Sequence, residues 1–164
     1  MEIPLPTLIQ HLSRNPGHGL MPVCMGTDLV FLPRIEALYN QYGHRFLDKI
    51  MTPREKAFCL TPVSLREKIG RMGARVAVKE AVVKSLGVGV STLGHAKGVL
   101  WSTGELLREE KQAPRLQLHH KAADIAAAFG IEDWLLSITH DGDYAMATVI
   151  GLRGFRLNET PISL

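Results

Sequence analysis

The sequence predicts an α+β fold, an antiparallel sheet packed with helices, in one 22–152 domain. Three observations carry this. Helix signals crowd residues 33–86, including two capping boxes. From Val99 onward the pattern changes to period-two alternation. Finally, His140-Asp-Gly-Asp143 reads as a turn between two strand-like runs, 134–139 and 144–150.

Residues 1–21 read as a polar extension, with His18 a solvated loop residue. Pro22 to Val30 reads as a short buried strand that puts Asp28 at its end beside Gly26. Pro33 opens a helix, where its missing N–H costs nothing. Ile35, Leu38 and Tyr39 then share a face before Gly43 stops the run, and Phe46, Leu47 and Ile50 make a second short helical face. Thr52-Pro-Arg-Glu55 and Ser64-Leu-Arg-Glu67 each place a hydroxyl at the cap and a carboxylate three residues on. The second box opens a helix ending near Leu86, with Gly87 as a left-handed cap. Gly70 and Gly73 weaken its first half, so a bend or break is expected there. Alternating Val99, Trp101, Thr103 and then Leu116, Leu118 follow. Lys121–Phe129 is an alanine-rich helix closed by Gly130, and residues 153–164 read as a peripheral tail.

At 164 residues and 46% apolar content, the chain can bury a sizeable core. No run approaches the ~18 apolar residues of a membrane span. The N-terminus has neither a basic start nor an apolar segment, so no signal peptide is expected. Cys24 and Cys59 lack metal spacing and suit a reducing, cytoplasmic setting as small hydrophobes. The net charge of +3 is uneven: residues 34–99 hold twelve Lys/Arg against five Asp/Glu, while both flanking segments are net negative. The middle third therefore faces something anionic: a nucleotide, nucleic acid or an acidic protein.

Arg75-Val-Ala-Val-Lys-Glu80-Ala-Val-Val-Lys84-Ser-Leu-Gly87-Val-Gly89 is the most informative stretch. Helical spacing puts Ala77, Glu80 and Lys84 in one line, ahead of a glycine loop. A carboxylate can hold a hard metal ion, and a lysine can hold a phosphate. Taken alone, an exposed Glu80–Lys84 ion pair is the weightier reading. Asp28 beside a glycine suits metal or phosphate approach, but reads by default as a turn residue. His140 stands at the mouth of the hairpin; Gly142 and Asp143 need only turn chemistry. His119 and His120 read as surface residues pointing apart, and His95 is ambiguous. No nucleophile elbow, dinucleotide fingerprint, Walker loop or zinc spacing is present.

Three blocks in order, Gly26-Thr-Asp28-Leu-Val, Arg75 to Gly89, and Ser137-Ile-Thr-His140-Asp-Gly-Asp-Tyr144-Ala-Met-Ala, resemble the holo-acyl-carrier-protein synthases, the small single-domain phosphopantetheinyl transferases. The resemblance covers roughly residues 22–152, and its Lys-Glu-Ala-x-x-Lys block is the specific one. It implies transfer of phosphopantetheine from coenzyme A to a serine of apo acyl carrier protein, in support of fatty acid biosynthesis. The by-product is adenosine 3′,5′-bisphosphate. It implies Mg²⁺ on Asp28 and Glu80, with Lys84 on the pyrophosphate. Arg75, Gly87, Gly89 and His140 would seat the nucleotide. Either Glu80, a metal-bound water or His140 would take the serine proton. It further implies a homotrimer with each coenzyme A between two subunits, and carrier docking on Arg34, Leu38, Arg45, Phe46 and Lys49. Phe31, Val76, Val88 and Ala113 depart from the family pattern, where glutamate, phenylalanine, threonine and glycine are usual. A non-catalytic carrier- or coenzyme-A-binding relative is the first rival. A nucleic-acid-binding module is the second, disfavoured by only ten aromatics and no groove-reading helix pattern.

Overall fold

The structure is a computed structural model that describes residues 18–61, 64–88, 104–107 and 113–156. Gly89, His95 and the run Val99–Thr103 lie outside the described residues. The domain opens with β1 (His18–Phe31), followed by α1 (Leu32–Tyr42), α2 (His44–Ile50), α3 (Pro53–Leu60) and α4 (Leu65–Ser85). Next come β2 (Gly104–Leu107), β3 (Arg115–Leu118), α5 (His120–Ala128), β4 (Asp133–Asp141) and β5 (Tyr144–Arg156).

The main sheet is antiparallel with order β1-β5-β4; β2 and β3 form a separate two-stranded ladder. The α+β class is as expected, and so is a strand ahead of the first helix. β1 and β5 pair from Phe31↔Tyr144 to His18↔Arg156, so the sheet extends beyond residues 22 and 152 at both ends. Backbone pairing carries these polar ends into the sheet, which side-chain pattern alone does not reveal.

Both capping boxes form, at Thr52/Glu55 and Ser64/Glu67. Gly87 and Gly130 take positive φ, 64° and 68°, just past α4 and α5. α4 is a continuous helix of 21 residues, not broken at its glycines. Both glycines are used for contact. A Cβ on Gly73 would lie 2.2 Å from Leu32 Cδ2, and one on Gly70 would lie 3.9 Å from the His140 ring. The packing they admit offsets a helix cost of about 1 kcal/mol each.

α4 crosses the inner face of the main sheet and forms the centre of the core. Ala77, Val78, Ala81 and Val82 cluster there with Ala145, Ala147 and Val149 of β5. Small β5 side chains let the helix approach closely. The outer face is different. Phe31↔Tyr144, Leu29↔Met146 and Met25↔Ile150 are cross-strand partners on it, and five of these six side chains are exposed. β1 is thus buried on one face only, where the sequence suggested a buried strand.

Candidate active site

Asp28 comes to the site through Gly26. A Cβ on Gly26 would lie 2.0 Å from the Ala81 carbonyl oxygen and 2.7 Å from Ser85 N, so β1 and α4 meet backbone to backbone. Asp28, two residues on, shares that inner face. It lies within the strand opposite Ala147, not at the strand end. α4 presents Glu80 and Lys84 to it. Lys84 Nζ donates to Asp28 Oδ1 at 2.8 Å and to the Thr27 carbonyl at 3.2 Å. The lysine therefore pairs with the strand aspartate rather than with Glu80. Glu80 is half-buried, and its carboxyl is pushed above the usual carboxylate range, first by burial and then by the Asp28 charge; Lys84 opposes the shift.

A cavity of about 400 Å³ opens beside these carboxylates, walled by Asp28, Glu80, Arg34, Leu38, Phe46 and Val76 among others. Three of the five expected docking residues, Arg34, Leu38 and Phe46, thus share a cavity with the carboxylates. Arg45 and Lys49 are exposed on α2, outside this lining. Phe31 also lines it and packs against Tyr144, the ring centres 5.4 Å apart and the planes tilted by 45°.

A second cavity, about 420 Å³, is lined by Phe58, Arg71, Arg75, Leu106, Ser137 and His140 among others. His140 is a strand residue, paired with Ala145 in β4, rather than part of the turn. That register points it at the helix-bearing face, next to Gly70. The Arg71 and Arg75 guanidiniums lie 4.6 and 4.4 Å from the Phe58 ring centre. Arg71 Nη1 also donates to the Phe58 carbonyl at 3.0 Å. Arg71 and Phe58 escaped the sequence reading. Arg71 had a signal, since it stands one turn before Arg75. Phe58 had none, because it arrives from a different helix.

One chain therefore places Asp28 and Glu80 on one cavity and Arg75 and His140 on another. Arg75 and Glu80 are five residues apart, which places them about 140° apart around α4. Asp28 on β1 and His140 on β4 are separated by β5. Gly87 sits just past Lys84 at the end of α4. Among the described residues no group of three or more His, Cys, Asp or Glu gathers at one point. No helix among them is long and apolar enough to cross a membrane.

A carboxylate pair with a lysine can hold a hard cation or a phosphate, and a separate cavity with two arginines packed on an aromatic ring suits an anionic ligand. Comparison with known proteins makes this specific. Residues 24–149 match the family model of the 4′-phosphopantetheinyl transferase superfamily. The holo-[acyl-carrier-protein] synthase of Gloeobacter violaceus is 38% identical over 125 residues, covering 76% of this chain and 89% of that protein. That of Solidesulfovibrio magneticus is 40% identical, covering 77% and 94%. The Helicobacter pylori synthase, solved in complex with coenzyme A, superposes with a TM-score of 0.62 at 27% identity, covering 77% and 98%. The chain belongs to the 4′-phosphopantetheinyl transferase superfamily, among its holo-acyl-carrier-protein synthases.

Proposed function

We infer that this protein transfers the phosphopantetheine arm of coenzyme A to a serine of apo acyl carrier protein and releases adenosine 3′,5′-bisphosphate. The observation that carries the reading is the Asp28–Glu80–Lys84 cluster where α4 meets β1, within a chain whose relatives are holo-acyl-carrier-protein synthases.

Asp28 and Glu80 fit a divalent cation. Their oxygens are hard donors, and burial together with the Asp28 charge already raises the Glu80 carboxyl. Mg²⁺ is commonly held by one or two carboxylates plus substrate phosphates. When bound, it would supply charge neutralisation for the pyrophosphate. Lys84 is more than half exposed and reaches the same carboxylate edge, so it can turn to a phosphate. Arg71, Arg75 and His140 offer hydrogen-bond donors to the nucleotide, and both guanidiniums pack on the Phe58 ring. Arg34, Leu38 and Phe46 offer a cation and apolar surface to an acidic carrier beside the reacting groups.

A complete site needs both cavities on one coenzyme A. Two subunits meeting across a cleft supply them, one with Asp28 and Glu80, its neighbour with Arg75 and His140. The apolar outer face at Met25, Leu29, Phe31, Tyr144 and Met146 provides the surface for such assembly. A homotrimer in the cytoplasm, where coenzyme A and carrier coexist, is the assembly we assign. The direct test is the intact mass of apo acyl carrier protein after incubation with this protein, coenzyme A and Mg²⁺. Gain of the phosphopantetheine mass is expected, and an unmodified carrier overturns the assignment.

A further inference from the structure

Immediately before Glu80 stands a second lysine with the opposite surroundings. The Lys79 side chain is 3% exposed, against 53% for Lys84. Its ammonium donates to Glu55 of α3 at 2.7 Å, and the Glu55 side chain is completely buried. That carboxylate also accepts from the Thr52 and Leu106 backbone N–H groups, each at 3.0 Å. The Thr52 hydroxyl donates to Glu105 at 2.6 Å, and the other Glu105 oxygen lies 3.2 Å from His119 Nε2. His119 is thus engaged rather than a plain surface residue.

A buried ion pair is commonly no more stabilising than apolar packing of the same volume. Its placement suggests a different use. Each of its anchors stands within one helical turn of a wall of the Arg75 cavity. Phe58 follows Glu55 by three residues, Arg75 precedes Lys79 by four, and Leu106 is itself both anchor and wall. A Cβ on Gly104 would lie 3.9 Å from Lys79 Cγ, so β2 rests directly on the lysine stem. We propose that Lys79 and Glu55 are positioning residues for nucleotide binding: their pair fixes the spacing of α3, α4 and β2, and so holds Phe58 and Arg75 for the phosphorylated adenosine end of coenzyme A. The proposal rests on the nucleotide reading of that cavity.

The test uses the full chain, with adenosine 3′,5′-bisphosphate as the calorimetric probe and steady-state assays with coenzyme A and carrier. Lys79→Met alone strands a buried carboxylate and threatens folding. The double variant Lys79→Met/Glu55→Gln removes both charges and keeps an oxygen for the Leu106 N–H. It is expected to fold by circular dichroism, with bisphosphate affinity and coenzyme A KM worsened about ten- to hundredfold, as misplacement of a binding wall implies. The carrier KM should not move. Glu105→Gln, at the His119 end of the network, should shift the same two quantities by about threefold through loosened support, and it provides the reading if the double variant does not fold. Unchanged bisphosphate affinity in whichever of these variants folds overturns the proposal, as does a loss of kcat with that affinity intact. Arg75→Ala separates the two readings. If it weakens the bisphosphate and the network variants do not, the positioning role alone fails. If Arg75→Ala has no effect, the nucleotide reading of the cavity fails and takes the proposal with it.

Discussion

Gly26 and Ala81 set the active-site spacing: a Cβ on the glycine would fall 2.0 Å from the alanine's carbonyl oxygen. That oxygen belongs to helix backbone and cannot rotate away. Gly26→Ala must therefore push α4 off β1, stretching the Lys84–Asp28 contact of 2.8 Å. The expected loss is about 1–3 kcal/mol of stability, the usual range for overpacking. Transfer should fall further than stability accounts for. Urea unfolding and turnover measured on the same preparation check both, and wild-type turnover in a folded variant counts against the close approach.

Asp28→Asn and Glu80→Gln should each abolish Mg²⁺-dependent transfer, and EDTA should do the same to wild type. Their stabilities give a second reading. The folded-state pKa of Glu80 is raised above the ordinary 4.5. The folded state therefore binds that proton more tightly than the unfolded chain, so ionising Glu80 costs stability. The cost is absent below 4.5, grows as pH rises toward the folded value, and is complete above it. In metal-free buffer, Glu80→Gln should be more stable than wild type near neutral pH, with the difference vanishing in acid. Melting curves across that range decide the sign.

Much of this fold was legible because its helices are delimited by side-chain chemistry that lies close in sequence. Thr52/Glu55, Ser64/Glu67 and Gly87 mark ends that the structure reproduces. Contacts from distant segments were not legible. Gly70 and Gly73 weaken a helix when read alone, yet His140 and Leu32 occupy the space they leave. Asp28, Glu80 and Lys84 could be grouped through the family blocks, but nothing local showed that Lys84 turns to Asp28. Phe58 reaches the arginines from another helix, and Glu55 was visible only as a cap, although its carboxylate also binds Lys79. Phe31 and Val76, two departures from the family pattern, turn out to line one cavity.

The division of site residues around α4 makes the shared-site proposal testable by mixing. Asp28→Asn subunits keep the Arg75 cavity, and Arg75→Ala subunits keep the carboxylates. Each alone should be inactive. Co-refolded mixtures should recover part of the activity, because some clefts then draw one intact half from each variant. Leu29→Glu, on the exposed outer face, should give monomers by sedimentation and remove transfer. An active monomer, or no recovery in mixed assemblies, rejects sharing.

Arg34 and Lys84 should separate the two substrates. Arg34 is exposed beside the apolar wall of Leu38 and Phe46. Arg34→Glu should mainly raise the carrier KM and flatten its salt dependence, since charges at an interface rim govern encounter more than residence. Lys84→Ala should instead raise the coenzyme A requirement. Kinetics with each substrate varied at several salt concentrations would show the split; both variants acting on one substrate alone would contradict the two-surface picture.

His140 offers the sharpest contrast within one hairpin. It pairs with Ala145 in the sheet and lines the Arg75 cavity, whereas Asp143 lies in the exposed turn and only its carbonyl is used, accepting from Leu32 N at 2.8 Å. A side-chain change at Asp143 leaves that carbonyl in place. Asp143→Asn should therefore stay close to wild type. His140→Ala removes a donor from the cavity wall without touching the core, so the fold and assembly should persist. Loss of one hydrogen bond to a charged phosphate corresponds to about 1.5–3 kcal/mol, or roughly ten- to hundredfold in the coenzyme A KM. Measuring kcat and KM for both variants across pH tests this; a His140→Ala enzyme with wild-type constants throughout would reduce the residue to a bystander on the edge strand.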